Sequence, residues 1–156
     1  MPVDERYYYI VWPDRSFYLR RNRSDEGPKY LTPGGHKRPP YYLDRGSRIL
    51  IVVEGELNAI SIAKALPDIS VVSPGGAGNF KRRELEGCLT GVEKVYLIAD
   101  DDQAGALAIF KLREELLDTM ILIKHSLWKD DANDILVNHG KERLREEIRQ
   151  RLGELS

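Results

Sequence analysis

Two continuous apolar runs end in acid, and this constrains the fold more than any other feature of the chain. Arg48-Ile-Leu-Ile-Val-Val53 runs into Glu54, and Lys94-Val-Tyr-Leu-Ile-Ala99 runs into Asp100-Asp101-Asp102. Runs of this length, rich in β-branched residues and bounded by Gly and charge, read as strands of a parallel sheet buried on both faces. Ligands bind at the carboxyl ends of such strands. A third acidic group, Asp131-Ala-Asn-Asp134, follows a later strand pattern. Carboxylates gathered at one sheet end repel one another, and a hard divalent cation such as Mg²⁺ or Mn²⁺ offsets that cost through a few carboxylates and its own waters. The pattern points to metal-dependent phosphate chemistry.

Helix patterns alternate with these strands. A helix is expected over about 57–66, with Leu57, Ile60, Ala63 and Ala65 near one face and Pro67 closing it. A strand over 69–72 leads to Ser73-Pro-Gly-Gly-Ala-Gly78 and a short helical piece near 80–86. The strand 94–99 precedes a helix over about 104–117, whose apolar side takes Leu107, Phe110, Leu112, Leu116 and Leu117. A strand over 120–124, a loop over 127–132 and a charged helix near 141–152 complete the chain. Alternation of this kind implies an α/β fold with a parallel sheet flanked by helices.

Residues 1–47 differ in texture. Short aromatic strand patterns, Arg6 to Trp12 and Ser16 to Arg20, flank a Pro13-Asp14 turn, and a Gly/Pro-rich stretch follows. Two domains are therefore expected, a small β-rich basic segment over 1–47 and the α/β domain over 48–156. The net charge of −1 divides into +4 over residues 1–48 and −5 over the remainder. In one reading the front segment is a plain antiparallel sheet. In the other, Arg20, Arg21, Arg23, Lys29, Lys37 and Arg38, interleaved with Tyr30, Tyr41 and Tyr42, hold single-stranded nucleic acid through phosphates and base faces.

Several classes are excluded or disfavoured. Cys88 is the only cysteine, which rules out an internal disulfide and a Cys-rich zinc ribbon, and it reads as a small hydrophobe. His36, His125 and His139 have no metal-ligand spacing. No apolar stretch approaches the roughly 20 residues of a membrane span, and the start lacks the order of a secretory signal, so a cytoplasmic location is expected. No GxGxxG follows the first strand of the α/β part, and the glycine-rich turn after Val72 lacks the GK[ST] of a P-loop. That turn is either a plain connection or a phosphate cradle, with Lys81, Arg82 and Arg83 just beyond it. Asp102 has a competing role as a helix N-cap, and Asp131 and Asp134 as capping residues of the next helix.

The joint spacing, strand–Glu54-Gly55, then strand–Asp100-x-Asp102-x-Ala104-Gly105, then Asp131-x-Asn133-Asp134-Ile-Leu136, resembles the Toprim domain shared by primases, topoisomerases and some nucleases. The form DxDxAG followed by DxNDIL looks most like the bacterial and phage primase or primase–helicase branch. Lys29-Tyr-Leu-Thr-Pro-Gly-Gly34 and Tyr41-Tyr-Leu-Asp44 resemble the stretch before Toprim in those proteins, the end of the primase polymerase subdomain. The resemblance implies a Toprim (Rossmann-like) sheet and Mg²⁺-dependent nucleotidyl transfer, making RNA primers on single-stranded DNA in replication. It implies catalytic roles for Glu54, Asp100 and Asp102, with Asp131 and Asp134 joining them around metal. Lys29 and the basic residues near it would handle template or nucleotide, and Lys81 and Arg82, just beyond the glycine-rich turn, are expected to join them. A replicative helicase and a zinc-binding primase domain are the partners implied, since neither motif occurs in these residues. The competing implications are a Toprim nuclease and a non-catalytic nucleic-acid- or partner-binding module.

Overall fold

The computed structural model describes residues 7–15, 17–21, 30–31 and 38–155. These divide into two compact units, residues 1–39 and 40–156. In the first, β1 (Tyr7–Val11), β2 (Phe17–Arg21) and β3 (Tyr30–Leu31) form an antiparallel sheet in the order β1-β2-β3. Buried Trp12 anchors the unit, its Nε1 donating to Pro39 O at 3.0 Å and its ring meeting Tyr18 edge-on at 4.6 Å. The edge-to-face arrangement suits the quadrupoles of the two rings.

The second unit is built on a five-stranded sheet of β4 (Tyr41–Leu43), β5 (Ile49–Val53), β6 (Ser70–Ser73), β7 (Lys94–Asp100) and β8 (Leu122–Trp128). The order is β4-β6-β5-β7-β8. All pairs are parallel except β4 with β6, which run antiparallel at one edge. The fold is thus the expected α/β sheet flanked by helices, with one antiparallel edge strand added. Residues 41–47, grouped by sequence texture with the front segment, lie in this second unit.

Helices α1 (Glu56–Ala65), α4 (Ala132–His139) and α5 (Lys141–Leu152) pack on one another on one face, while α3 (Gln103–Glu115) covers β7 and β8. The short α2 (Arg82–Leu85) lies between turns of 3₁₀ helix at 77–79 and 86–88. Alternation along the central strands feeds both faces. Leu50, Val52, Val95 and Leu97 join Phe80, Leu85, Ile109 and Leu112 in one core layer. Cys88 is buried in that layer, and burial together with the Asp44 charge pushes its thiol up to about 11. It is the inert small hydrophobe that composition implied.

Two expectations need correction. The last strand runs over 122–128 rather than 120–124, taking in residues assigned to a loop. As the sheet's outer edge, β8 is largely exposed, so it lacks the apolar run that marks β5 and β7. On α3 the buried side is Gly105, Ala108, Ile109, Leu112 and the following Leu116, whereas Leu107, Phe110 and Leu117 face outward. Small residues, not the largest apolar ones, let this helix lie close to the sheet. Among the described residues no helix is long and apolar enough to cross a membrane.

Candidate functional site

Adjacent parallel strands β5 and β7 are in register with Val53 beside Ile98, which brings Glu54 and Asp100 to the same end of the sheet. Glu54 N–H donates to Ile98 O at 3.3 Å, and Asp100 N–H returns a bond to Glu54 Oε1 at 3.3 Å. Gly55, at φ 79°, turns the chain sharply after Glu54 into α1, a backbone state that glycine enters without strain. β8 lies on the other side of β7, with Asp100 beside Trp128 and Asp101 N–H donating to Trp128 O at 2.9 Å. A small cleft results at the carboxyl ends of β5, β7 and β8, lined among others by Glu54, Asn58, Asp100, Trp128 and Asp131.

Glu54 carries the electrostatic signature of the site. Burial raises its carboxyl most, the Asp100 and Asp102 charges raise it further, and the bond from the Asp100 N–H opposes them; the result is about 7. Desolvation and like charge both disfavour the carboxylate form. A group so shifted changes its protonation near neutrality, the range suited to general acid–base work.

The other acids are held by their backbone. β7 ends at Asp100, and Asp102 N–H folds back to Asp100 O at 2.8 Å, so the two carboxylates do not continue one extended face. Asp102 is the N-cap of α3, accepting from Gly105 N–H at 2.6 Å. Asp131 caps α4 in the same way, accepting from Asp134 N–H at 2.7 Å. The cap readings of Asp102 and Asp131 are therefore realised, whereas Asp134 supplies the N–H that Asp131 caps. A cap engages a carboxylate oxygen and aligns the side chain. Asp134 sits in the first turn of α4 and lines a neighbouring groove with Asp130 and His139.

A hydrogen-bond chain that sequence reasoning missed joins these parts. Asn58 Nδ2 donates to Glu54 O at 3.0 Å, and Asn58 Oδ1 accepts from Asn133 N–H at 3.0 Å. Ser61, almost fully buried, donates from Oγ to Leu57 O at 2.8 Å and stands 3.2 Å from Asn133 Oδ1. Asn58 thus locks the end of β5 to the start of α4. The one available signal was a polar Asn on an otherwise apolar stretch of helix, four residues after the acid.

The expected nucleic-acid residues do not gather in one described place. Arg23, Lys29 and Lys37, with His36, lie outside the described residues, as does the side chain of Arg21. Arg20 lies on β2 and Arg38 precedes the second unit, both half-buried. Arg82 is bonded to Asp118 at 2.7 Å and to Glu115 O at 3.1 Å, fastening α2 to the end of α3. Lys81 lines a separate groove beside α3. The glycine-rich turn closes partly on itself, with Gly75 N–H bonded to Ser73 Oγ and Asn79 N–H to Gly76 O.

Among the described residues no three His, Cys, Asp or Glu side chains converge into a metal cage. The donor chemistry still suits a hard cation. Glu54 and Asp100 carry oxygen donors that could serve as ligands, and a cation would relieve the repulsion that adds to burial in raising Glu54. Mg²⁺ commonly keeps several waters and uses only one or two carboxylates, so a closed cage is not required.

A family model described as the Toprim domain matches residues 49–142. No curated protein matches the chain at a significant level. Among solved structures, the DnaG primase catalytic domain bound to ssDNA superposes with a TM-score of 0.68 at 21% identity, covering 94% of this chain and 51% of that one. The primase of Aquifex aeolicus, comprising zinc-binding and RNA polymerase domains, gives 0.64 at 20% identity, covering 93% and 40%. The primase fragment of the bacteriophage T7 primase-helicase gives 0.63 at 22% identity, covering 85% and 55%. The chain spans about half the length of these primase structures. At such identities the likeness is one of fold.

Proposed function

This chain belongs to the Toprim family, and from that premise we infer that it is a primase-like module acting in Mg²⁺- or Mn²⁺-dependent nucleotidyl transfer, the synthesis of RNA primers on single-stranded DNA. The observation that carries the reading is the pairing of Glu54 with Asp100 at adjacent strand ends, where the Glu54 carboxyl is pushed up to about 7. The likeness of fold to primase domains supports it.

Glu54 and Asp100, with Asp102, Asp131 and Asp134, are the residues that would hold the cation, which when bound supplies charge neutralisation for phosphate oxygens. Glu54, held beside Asp100 at the strand end, would take a proton from an attacking hydroxyl. Asn58 holds the Glu54 main chain, and the caps hold the Asp102 and Asp131 side chains, before substrate arrives, so little reorganisation is needed at the reacting centre. Arg20, Arg21, Arg23, Lys29, Lys37, Arg38, Lys81 and Arg82 are the proposed contacts to template and nucleotide. A zinc-binding primase domain and a replicative helicase are the proposed partners, and a cytoplasmic location is the one we propose.

The test is a denaturing gel of labelled single-stranded DNA with labelled ribonucleotides and Mg²⁺ or Mn²⁺, comparing the parent with Glu54→Gln. New short ribonucleotide products that disappear in the variant support the primase reading. Glu54-dependent shortening of the DNA replaces it with a nuclease. No change in either label, also with a zinc-binding primase domain added, leaves a binding module.

A further inference from the structure

Asp100 is held from both sides through backbone N–H groups. On the β5 side its own N–H donates to Glu54 Oε1 at 3.3 Å, and on the β8 side the next N–H, that of Asp101, donates to Trp128 O at 2.9 Å. The β8 side has no further strand behind it, because β8 is the edge of the sheet. The placement of Trp128 therefore depends on what packs against its side chain. Among the described residues of β8 only Trp128 is buried, at 3% exposure, and it lines the cleft that contains Glu54 and Asp100.

The end of α5 supplies that packing. Lys124, Ser126 and Trp128 alternate onto one face of β8. Lys124 Nζ donates to Leu152 O at 3.4 Å, and Trp128 Nε1 donates to Ser126 Oγ at 3.0 Å. The Arg151 guanidinium lies over the Trp128 ring, 4.5 Å from its centroid. A guanidinium on an indole face gains from the ring quadrupole and from flat stacking. Arg151 is oriented in turn, its Nε donating to Glu147 Oε2 at 3.2 Å. Glu147, whose side chain is only 16% exposed, also pairs through Oε1 with Arg143 at 3.0 Å. Buried Leu144, Ile148 and Leu152 fasten α5 to the core independently, so the guanidinium is not needed to seat the helix. These α5 residues fall outside the 49–142 Toprim match, and family membership gives them no role.

We propose that Arg151 is a positioning residue of the site: by clamping Trp128 it fixes the end of β8 to which Asp101, and with it Asp100, is tied. This rests on the reading of Asp100 as a ligand of the cation. Positioning and simple charge differ in sign. The guanidinium repels a cation held in the cleft, so by charge alone its loss tightens metal binding, whereas loosening Asp100 weakens it.

The test compares the full chain with Arg151→Met, which keeps an apolar stem but no cation, and Arg151→Lys, which keeps a cation for the ring. Amide hydrogen exchange without metal, read residue by residue by NMR, is expected to be about tenfold faster at Asp101 in the Met variant. It should be unchanged at Val52 on β5, and the Lys variant should lie closer to the parent. Mn²⁺ affinity, followed by electron paramagnetic resonance, is expected to fall about threefold or more with Met and to recover in part with Lys. Should the Met variant fail to fold, Glu147→Gln, which releases Arg151 without removing it, takes its place in the exchange measurement. Unchanged exchange at Asp101 overturns the proposal, and equal acceleration at Asp101 and Val52 overturns it in favour of general stabilisation. Unchanged or tighter Mn²⁺ binding in the Met variant also overturns it, the tighter case in favour of charge. A parent that binds no Mn²⁺ sinks the metal reading of Asp100 instead, and exchange at Asp101 then decides the positioning role by itself.

Discussion

Asn133 donates its backbone N–H to Oδ1 of Asn58 at 3.0 Å, joining positions 75 residues apart in the chain. Since Asn58 also holds Glu54 O through Nδ2, one amide fixes the spacing between the first and the last acidic motif. Replacing Asn58 by Ala leaves the part-buried Asn133 N–H without this acceptor, at a cost of about 1–3 kcal/mol. Urea denaturation should show a lower midpoint with an unchanged slope, and an unchanged midpoint would show that the bond contributes nothing.

Gly105 is the second constraint on the acids. A Cβ added there would collide with Asp100 O and crowd Ala99 Cβ. The colliding atom is backbone of β7 and cannot swing aside, so Gly105→Ala should destabilise by roughly 3 kcal/mol or more. It should also displace Asp100. Thermal melting checks the first effect, and Mn²⁺ binding followed by electron paramagnetic resonance checks the second.

The raised Glu54 carboxyl makes stability depend on pH. The folded state binds this proton more tightly than the unfolded chain, so the contribution is complete below about 4.5 and is lost as pH rises through about 7. Glu54→Gln removes the ionisation, so without metal the variant should melt above the parent at pH 8. The gap, on the order of 1 kcal/mol after allowance for solvent screening, should close toward pH 5. A gap that is constant across this range would show that Glu54 titrates normally.

A cation bound among these carboxylates should stabilise the fold. With a Kd on the order of 1 mM, about 10 mM Mg²⁺ contributes roughly 1.4 kcal/mol. That corresponds to about 3–5 °C in melting temperature for a domain of this size. Asp100→Asn should abolish most of the shift, and a parent that melts at the same temperature with and without Mg²⁺ or Mn²⁺ would argue against the site.

The central strands were legible because β5 and β7 are buried on both faces and therefore read as unbroken apolar runs ending in acid. Burial on one side only was harder to read. The edge strand β8 mixes Lys124 and His125 with Ile123 and Leu127, so its end at Trp128 passed for a loop. On α3 the close approach of helix to sheet demands Gly105 and Ala108, and pattern reading that favours large apolar residues found Leu112 and Leu116 but added the outward Leu107, Phe110 and Leu117. Glu54 and Asp100 could be read from strand ends alone. Asn58 could not, because its partner Asn133 becomes adjacent only once α1 and α4 have packed.

The caps on Asp102 and Asp131 bear on how an inactive control should be made. Alanine at either position removes a carboxylate and also unties the first turn of the helix behind it. A dead Ala variant would therefore confound lost chemistry with a frayed scaffold. Asparagine keeps a carbonyl oxygen for the same N–H and discards only the charge, so the Asn variants separate what these side chains do for a ligand from what they do for the chain.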